Sequence, residues 1–219
     1  MKFQKIYSYA KINLSLNIIK KIRKNFHKIE SLVTFAKLYD EILIKPINLE
    51  RNKIIFTGRF SKQIGKNNSI FNTFKILEKK NLLKGKKFEI RIKKNIPQRS
   101  GMGGGSMNAA SVINYLIKKK KMKISKLKLL EVCKSIGSDV VLGLEKKNTI
   151  LLGNGSVIRS DAKIKLYILI AKPSVGCSTK IIYKNVNRFS KAIYSKNNKN
   201  FFKINNLKKY SNDLEKSTF

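Results

Sequence analysis

From Tyr7 to Ile19 apolar and polar residues alternate, with Ile12, Leu14, Leu16 and Ile18 on one face. A period of two predicts a strand. The polar run KKIRKNFHK (20–28) reads as a connection. Residues 32–47 hold further strand-like segments, and NKIIFTG (52–58) is another. At 68–80 the period changes, with Ile70, Phe74 and Leu77 at helical spacing. Alternation returns at 87–97 through Phe88, Ile90 and Ile92, and Pro97 ends that strand. A second amphipathic helix follows SGMGGGS (100–106), its buried face formed by Ala109, Val112, Ile113, Leu116 and Ile117. Ser125 is placed to cap a third, with Leu129, Val132, Cys133 and Ile136 inward and Gly137 as its stop. Residues 148–158 predict a strand entering a turn, and KLYILIAKP (165–173) a buried strand. A helix is expected from 178, capped by Ser178 or Thr179, and weak order from 187 until FFKINNLKKY (201–210). Strands come first and helices cluster later, a mixed α/β class.

A length of 219 residues suits one domain, or one domain and part of another. Apolar runs such as YILIA (167–171) are too short to span a bilayer as a helix, and MKFQKIYSYAKIN lacks the apolar core of a secretory signal. Cys133 and Cys177 stand far apart and His27 is the single histidine, which argues against a disulfide framework and a protein-held transition metal. A reducing cytoplasm fits this usage. The net charge of +37 points first to a nucleic-acid or anionic-membrane partner. Its lysines run from end to end, however, and aromatics do not interleave with Arg as a base-stacking platform needs. Specific nucleic-acid binding is therefore kept as an alternative only.

The chemistry concentrates at Gly101, Gly103, Gly104 and Gly105, between an alternating strand and an amphipathic helix. Residues without Cβ let the backbone turn sharply and aim several N–H groups at one point. The following helix adds unpaired amides and the positive end of its dipole. Such a turn suits polyphosphate, with Ser106 as a further donor. It equally suits a plain turn. Neither GxxxxGK[ST] nor GxGxxG fits, since no Lys follows the loop and position 106 is Ser.

Five ordered segments carry a resemblance: AKINLSLNI (10–18), NFHKIESL (25–32), PQRSGMGGGSMNAA (97–110), GSDVVLGL (137–144) and KPSVGCSTKIIYK (172–184). Together they resemble the GHMP kinases, in particular the branch acting on 4-diphosphocytidyl-2-C-methyl-D-erythritol in the non-mevalonate (MEP) route to isoprenoid precursors. The resemblance implies an α/β (α+β) fold with a GHMP kinase N-terminal, ATP-binding domain at 1–155. It also implies a fragment of the ferredoxin-like C-terminal domain at 156–219. The implied reaction is transfer of phosphate from ATP, with its accompanying Mg2+, to the substrate's 2-hydroxyl. Asp139 matches the catalytic aspartate that takes the hydroxyl proton, and Lys11 the lysine that holds it. Asn13 matches a substrate-contacting position and His27 the residue that reads the cytosine edge. Phe26 and Tyr183 match the aromatics beside the base, with Thr179 on the same substrate side. The ATP loop is matched by Pro97, Gln98, Arg99, Ser100, Gly101, Met102, Gly103, Gly104, Gly105, Ser106 and Met107, with Lys94 and Asn68 near the nucleotide. As bare residues, Lys11 reads as a solvated lysine, Asp139 as a turn residue, His27 as a loop histidine and Tyr183 as packing.

The sequence also departs from the pattern. Arg99 stands where the family has glycine, Met107 where it has a second serine, and GSDVVLG replaces GADVPFF. SNDLE (211–215) resembles a segment after which the family continues through most of a second domain. A chain cut there is expected to expose Phe201, Phe202 and Leu207. Three readings follow: an active kinase, a remnant without turnover, and a basic nucleic-acid-binding protein.

Overall fold

The computed structural model describes residues 2–23, 26–62, 64–65, 67–171, 179–195 and 200–215. The elements run β1 (Gln4–Arg23), β2 (Phe26–Ile47), β3 (Lys53–Thr57), α1 (Ser69–Lys79), β4 (Lys87–Lys93), α2 (Gly104–Lys118) and α3 (Lys126–Ile136). A 3-10 helix (Ser138–Leu144) follows, then β5 (Asn148–Leu151), β6 (Val157–Ser160), α4 (Thr179–Lys184) and α5 (Ile204–Leu207). The run 20–28, expected as a connection, belongs largely to the two long strands: β1 continues to Arg23 and β2 begins at Phe26. Strand pairing outweighs local polarity there, because the edge of a ladder accepts solvated lysines.

The chain forms two compact units that interleave along the sequence: residues 1–10, 37–98 and 103–145, and residues 11–36, 99–102 and 146–219. β1 and β2 each run through both units.

In the first unit the C-terminal half of β2 pairs antiparallel with β4, Ile42 opposite Ile92 and Ile44 opposite Ile90. β3 lies parallel on the other side of β4, Ile54 opposite Ile90. Ile42, Ile44, Phe88, Ile90 and Ile92 are fully buried. α1 contributes Ile70, Phe74 and Leu77 to the core, and α2 contributes Val112, Ile113 and Leu116. Asn68 caps α1, its Oδ1 accepting the Phe71 N–H at 2.9 Å, and Ser125 caps α3. Gly137 ends α3 as expected, but with extended backbone rather than a left-handed turn. Cys133 is buried in α3, which pushes its thiol pKa up to about 11.

In the second unit β2 pairs with β5, Leu32 opposite Ile150, and β5 turns back into β6. Leu32, Ile150, Leu152, Tyr194, Phe201 and Phe202 make one core. Phe201 and Phe202, expected to be exposed, are thus buried, because the C-terminal segment folds back on its own unit. Backbone bonds run from Leu16 N–H to Ser211 O (3.1 Å), from Asp213 N–H to Leu16 O (2.9 Å) and from Ser190 N–H to Ile18 O (2.8 Å). Asp213 adds its Oδ2, which accepts the Ile18 N–H at 2.6 Å. Buried Glu30 accepts from Ile193 N–H at 2.9 Å, and the Tyr194 hydroxyl meets Ser15 Oγ at 2.5 Å. Burial pushes the Tyr194 hydroxyl pKa up to about 12. Residues 187–195, expected to be weakly ordered, are irregular but pinned by these contacts.

The buried strand expected at 165–173 is not formed. Residues 165–171 carry no ladder, and Tyr167 and Leu169 are 94% and 96% exposed; 172–173 lie outside the described residues. Apolar composition favours a strand only where a partner edge supplies hydrogen bonds. Among the described residues no helix is long and apolar enough to cross a membrane.

Candidate active site

The glycine loop leaves β4 through Lys94, Asn95, Ile96 and Pro97. Gln98 anchors the loop's first residues, its Nε2 donating to Phe60 O and Lys62 O at 2.8 Å each. Arg99, Gly101 and Gly103 have φ of +52°, +71° and +62°. Gly103 is the N-cap of α2, with no side-chain capping bond. The first helical bond runs from Met107 N–H to Gly103 O at 2.9 Å. The N–H groups of the turn before it have no intrahelical acceptor and sit at the positive end of the dipole.

Neighbouring groups crowd this turn closely. A Cβ on Gly105 would meet Ser69 Oγ at 2.7 Å, and one on Gly104 would meet Ile96 Cγ2 at 3.1 Å and Lys94 Nζ at 3.3 Å. Ser69 on α1 was not singled out from sequence. Nothing in a helix-initial serine marks what it faces.

Asp139 lies in the first turn of the 3-10 helix and is half-buried. The helix is seated against α2: a Cβ on Gly143 would meet Ala110 Cβ at 2.7 Å and Met107 Sδ at 3.0 Å. At its start, a Cβ on Gly137 would come 3.6 Å from Ser106 Oγ. The carboxylate-bearing turn and the first turn of α2 are therefore neighbours within one unit. Met107 is buried at this contact, so the side chain in place of the second serine serves packing.

Lys11 and Asn13 belong to the second unit. Lys11 is 7% exposed, far from the solvated lysine its bare residue type suggests. Its Nζ donates to Asn13 Oδ1 at 2.7 Å, and its backbone N–H donates to Met102 O in the glycine loop at 3.1 Å. His27 and Tyr183 stand with ring centroids 5.3 Å apart and planes tilted by 30°. Both imidazole nitrogens of His27 are buried without a hydrogen-bond partner among the described residues. Burial, helped by the Lys21 charge, lowers the His27 pKa and keeps the ring neutral near pH 7. Two unpartnered ring nitrogens suit a ligand that both donates and accepts. The side chains of Phe26 and Thr179 lie outside the described residues.

Lys94 and Asn68 are already engaged. Lys94 is buried in an ion pair with Asp40, and Asn68 caps α1 while its Nδ2 donates to Gly65 O. Among the described residues no three His, Cys, Asp or Glu side chains group as metal ligands.

The family described as GHMP kinases N terminal domain matches residues 68–146, the stretch from α1 through the glycine loop to the Asp139 turn. A 4-diphosphocytidyl-2-C-methyl-D-erythritol kinase of Pelagibacter ubique (strain HTCC1062) is 50% identical over 212 residues, 97% of this chain and 75% of that relative. The chain belongs to the 4-diphosphocytidyl-2-C-methyl-D-erythritol kinase family. A family member from Clostridioides difficile (strain 630) is 32% identical over 85% of this chain, which spans 63% of that relative's length. Among solved structures, a 4-(cytidine 5'-diphospho)-2C-methyl-D-erythritol kinase matches with a TM-score of 0.70 at 20% identity, covering 99% of this chain and 77% of that one. Mevalonate pyrophosphate decarboxylase from Streptococcus pyogenes matches with a TM-score of 0.56 at 10% identity, over 79% of this chain and 57% of that one. These structural likenesses establish the fold of this kinase-family member.

Proposed function

We propose that the chain transfers the terminal phosphoryl group of ATP to the 2-hydroxyl of 4-diphosphocytidyl-2-C-methyl-D-erythritol, giving ADP and the 2-phosphate. The observation that carries this is the uncapped, glycine-built start of α2 beside the Asp139 turn, in a chain 50% identical to such a kinase. The amides of 104–106 and the Ser106 hydroxyl hold the phosphate oxygens. Mg2+ carried by ATP would supply positive charge that offsets the polyphosphate. The hydroxyl oxygen forms the new bond to phosphorus as the bridging oxygen leaves with ADP. Asp139 accepts the hydroxyl proton, because a tertiary alcohol is a poor nucleophile at neutral pH. The resemblance assigns Lys11, whose ammonium donates to Asn13, to the substrate hydroxyl, and His27 and Tyr183 to the cytosine. Most of the rate comes from alignment and charge neutralisation.

A second reading is a folded chain without turnover. The exposed apolar run 166–170 favours it, since a contiguous patch of this kind is normally covered. One assay separates the two. ADP release is measured with ATP and the cytidyl alcohol, for wild type, Asp139→Asn and Lys11→Ala. Alcohol-dependent turnover that falls about 10²-fold or more in each variant is expected, the scale of a lost proton acceptor. Turnover in Asp139→Asn equal to wild type refutes the mechanism, and none in wild type leaves the second reading standing.

A further inference from the structure

Asp40 is an acid that the proposed proton transfer does not use. It sits in β2 within an apolar stretch and is fully buried. Its Oδ1 accepts the backbone N–H groups of Asn95 at 2.8 Å and Ile96 at 2.9 Å. Its Oδ2 accepts the Lys94 ammonium and, at 2.9 Å, Asn108 Nδ2. Lys94 is 4% and Asn108 2% exposed. Four donors on one carboxylate offset the cost of burying its charge.

These donors fall into two groups. Lys94, Asn95 and Ile96 form the strand-side flank of the glycine loop, whereas Asn108 belongs to α2 on its helix-side flank. The Lys94 ammonium also reaches beneath the first residue of α2, 3.3 Å from a Cβ on Gly104. One carboxylate thus ties the point where the chain leaves the sheet to the point where it enters the helix. A buried ion pair adds little net stability compared with apolar packing.

We propose that Asp40 is a positioning residue for the nucleotide, setting the separation of the two loop flanks so that the amides of 104–106 fit a polyphosphate. This rests on the reading of the loop as the ATP site. Two variants test it, Asp40→Asn and the milder Asn108→Ala, which removes one bond and leaves the ion pair. The readouts are KM for ATP, KM for the cytidyl alcohol, kcat, and hydrogen–deuterium exchange of peptides covering 95–108 with and without ATP. The expected result is a rise of about tenfold in KM for ATP with KM for the alcohol within about twofold, the scale of a misplaced binding group. Exchange should quicken at 104–107, ATP protection there should weaken, and α3 should stay unchanged. Folded variants with unaltered KM for ATP and unaltered exchange overturn the proposal. So does a parallel rise in both KM values with faster exchange throughout the unit, which marks general destabilisation. If Asp40→Asn does not fold, Asn108→Ala decides on the same readouts. A wild type that forms no ADP leaves the reading without turnover standing instead, and ATP protection of 104–107 then decides the role of Asp40 by itself.

Discussion

Arg99 occupies a left-handed backbone position, φ +52°, in a loop whose relatives in the resemblance place glycine there. For an L-residue this conformation costs about 1–2 kcal/mol. Glycine would relieve it but lose about 0.5–1 kcal/mol to the greater freedom of the unfolded chain. The first effect is the larger, so Arg99→Gly is expected to stabilise by up to about 1 kcal/mol. That corresponds to a rise in melting temperature of about 2–4 °C, measurable by differential scanning fluorimetry. A fall in melting temperature would show that the guanidinium makes compensating contacts. The arginine was legible in the sequence as a departure; the sign of φ was not, because a single side chain does not report the path of its backbone. The same holds for Lys11. Its type suggests solvation, yet the hydrogen bonds to Asn13 and Met102 bring it to near-complete burial.

The elements around the loop were largely readable, since the strand before it alternates cleanly and the helix after it has a clean apolar stripe. Their mutual fit was not. Gly105 stands in the first turn of α2, where alanine would ordinarily add about 1 kcal/mol of helix stability. Here the added Cβ would lie 2.7 Å from Ser69 Oγ but 3.5 Å from Ser69 Cβ. Gly105→Ala is therefore expected to destabilise wild type and to be neutral or stabilising in a Ser69→Ala background. Chemical denaturation of the four proteins should give a coupling energy of about 1 kcal/mol, within the usual range for contacting residues. Additive effects would place the two residues out of contact. The run at 165–171 makes the opposite point. Its composition is that of a buried strand, but a strand is made by a neighbour's hydrogen bonds, and none pairs with it among the described residues.

At the scale of the whole molecule, 49 basic against 12 acidic residues leave a charge of +37, and this bears on partners rather than on fold. Weak, sequence-indifferent binding to heparin or RNA is expected, released steeply by salt. For a handful of phosphate contacts the affinity should fall by about 10³-fold or more between about 50 and 200 mM salt. Filter binding across that range, with several unrelated RNAs, checks this. Selective binding that persists at moderate salt would favour the nucleic-acid-binding alternative. The division of the chain into interleaved units also belongs to this scale. Two strands of 20 and 22 residues serve both units.

The sequence by itself determined the class of fold, the positions of the strands and helices that bound the glycine loop, and the family. These depend on local periodicity, turn chemistry and ordered motifs, all of which are written along the chain. Only the tertiary structure decided that Asp40 joins the two loop flanks and that Lys94 is committed to it. It likewise decided that Ser69 limits Gly105, and that Phe201 and Phe202 fold inward while residues 166–170 do not. Burial and pairing depend on which distant segments meet, and residues such as Asp40 and Asn108, 68 apart in sequence, carry no local mark of their meeting.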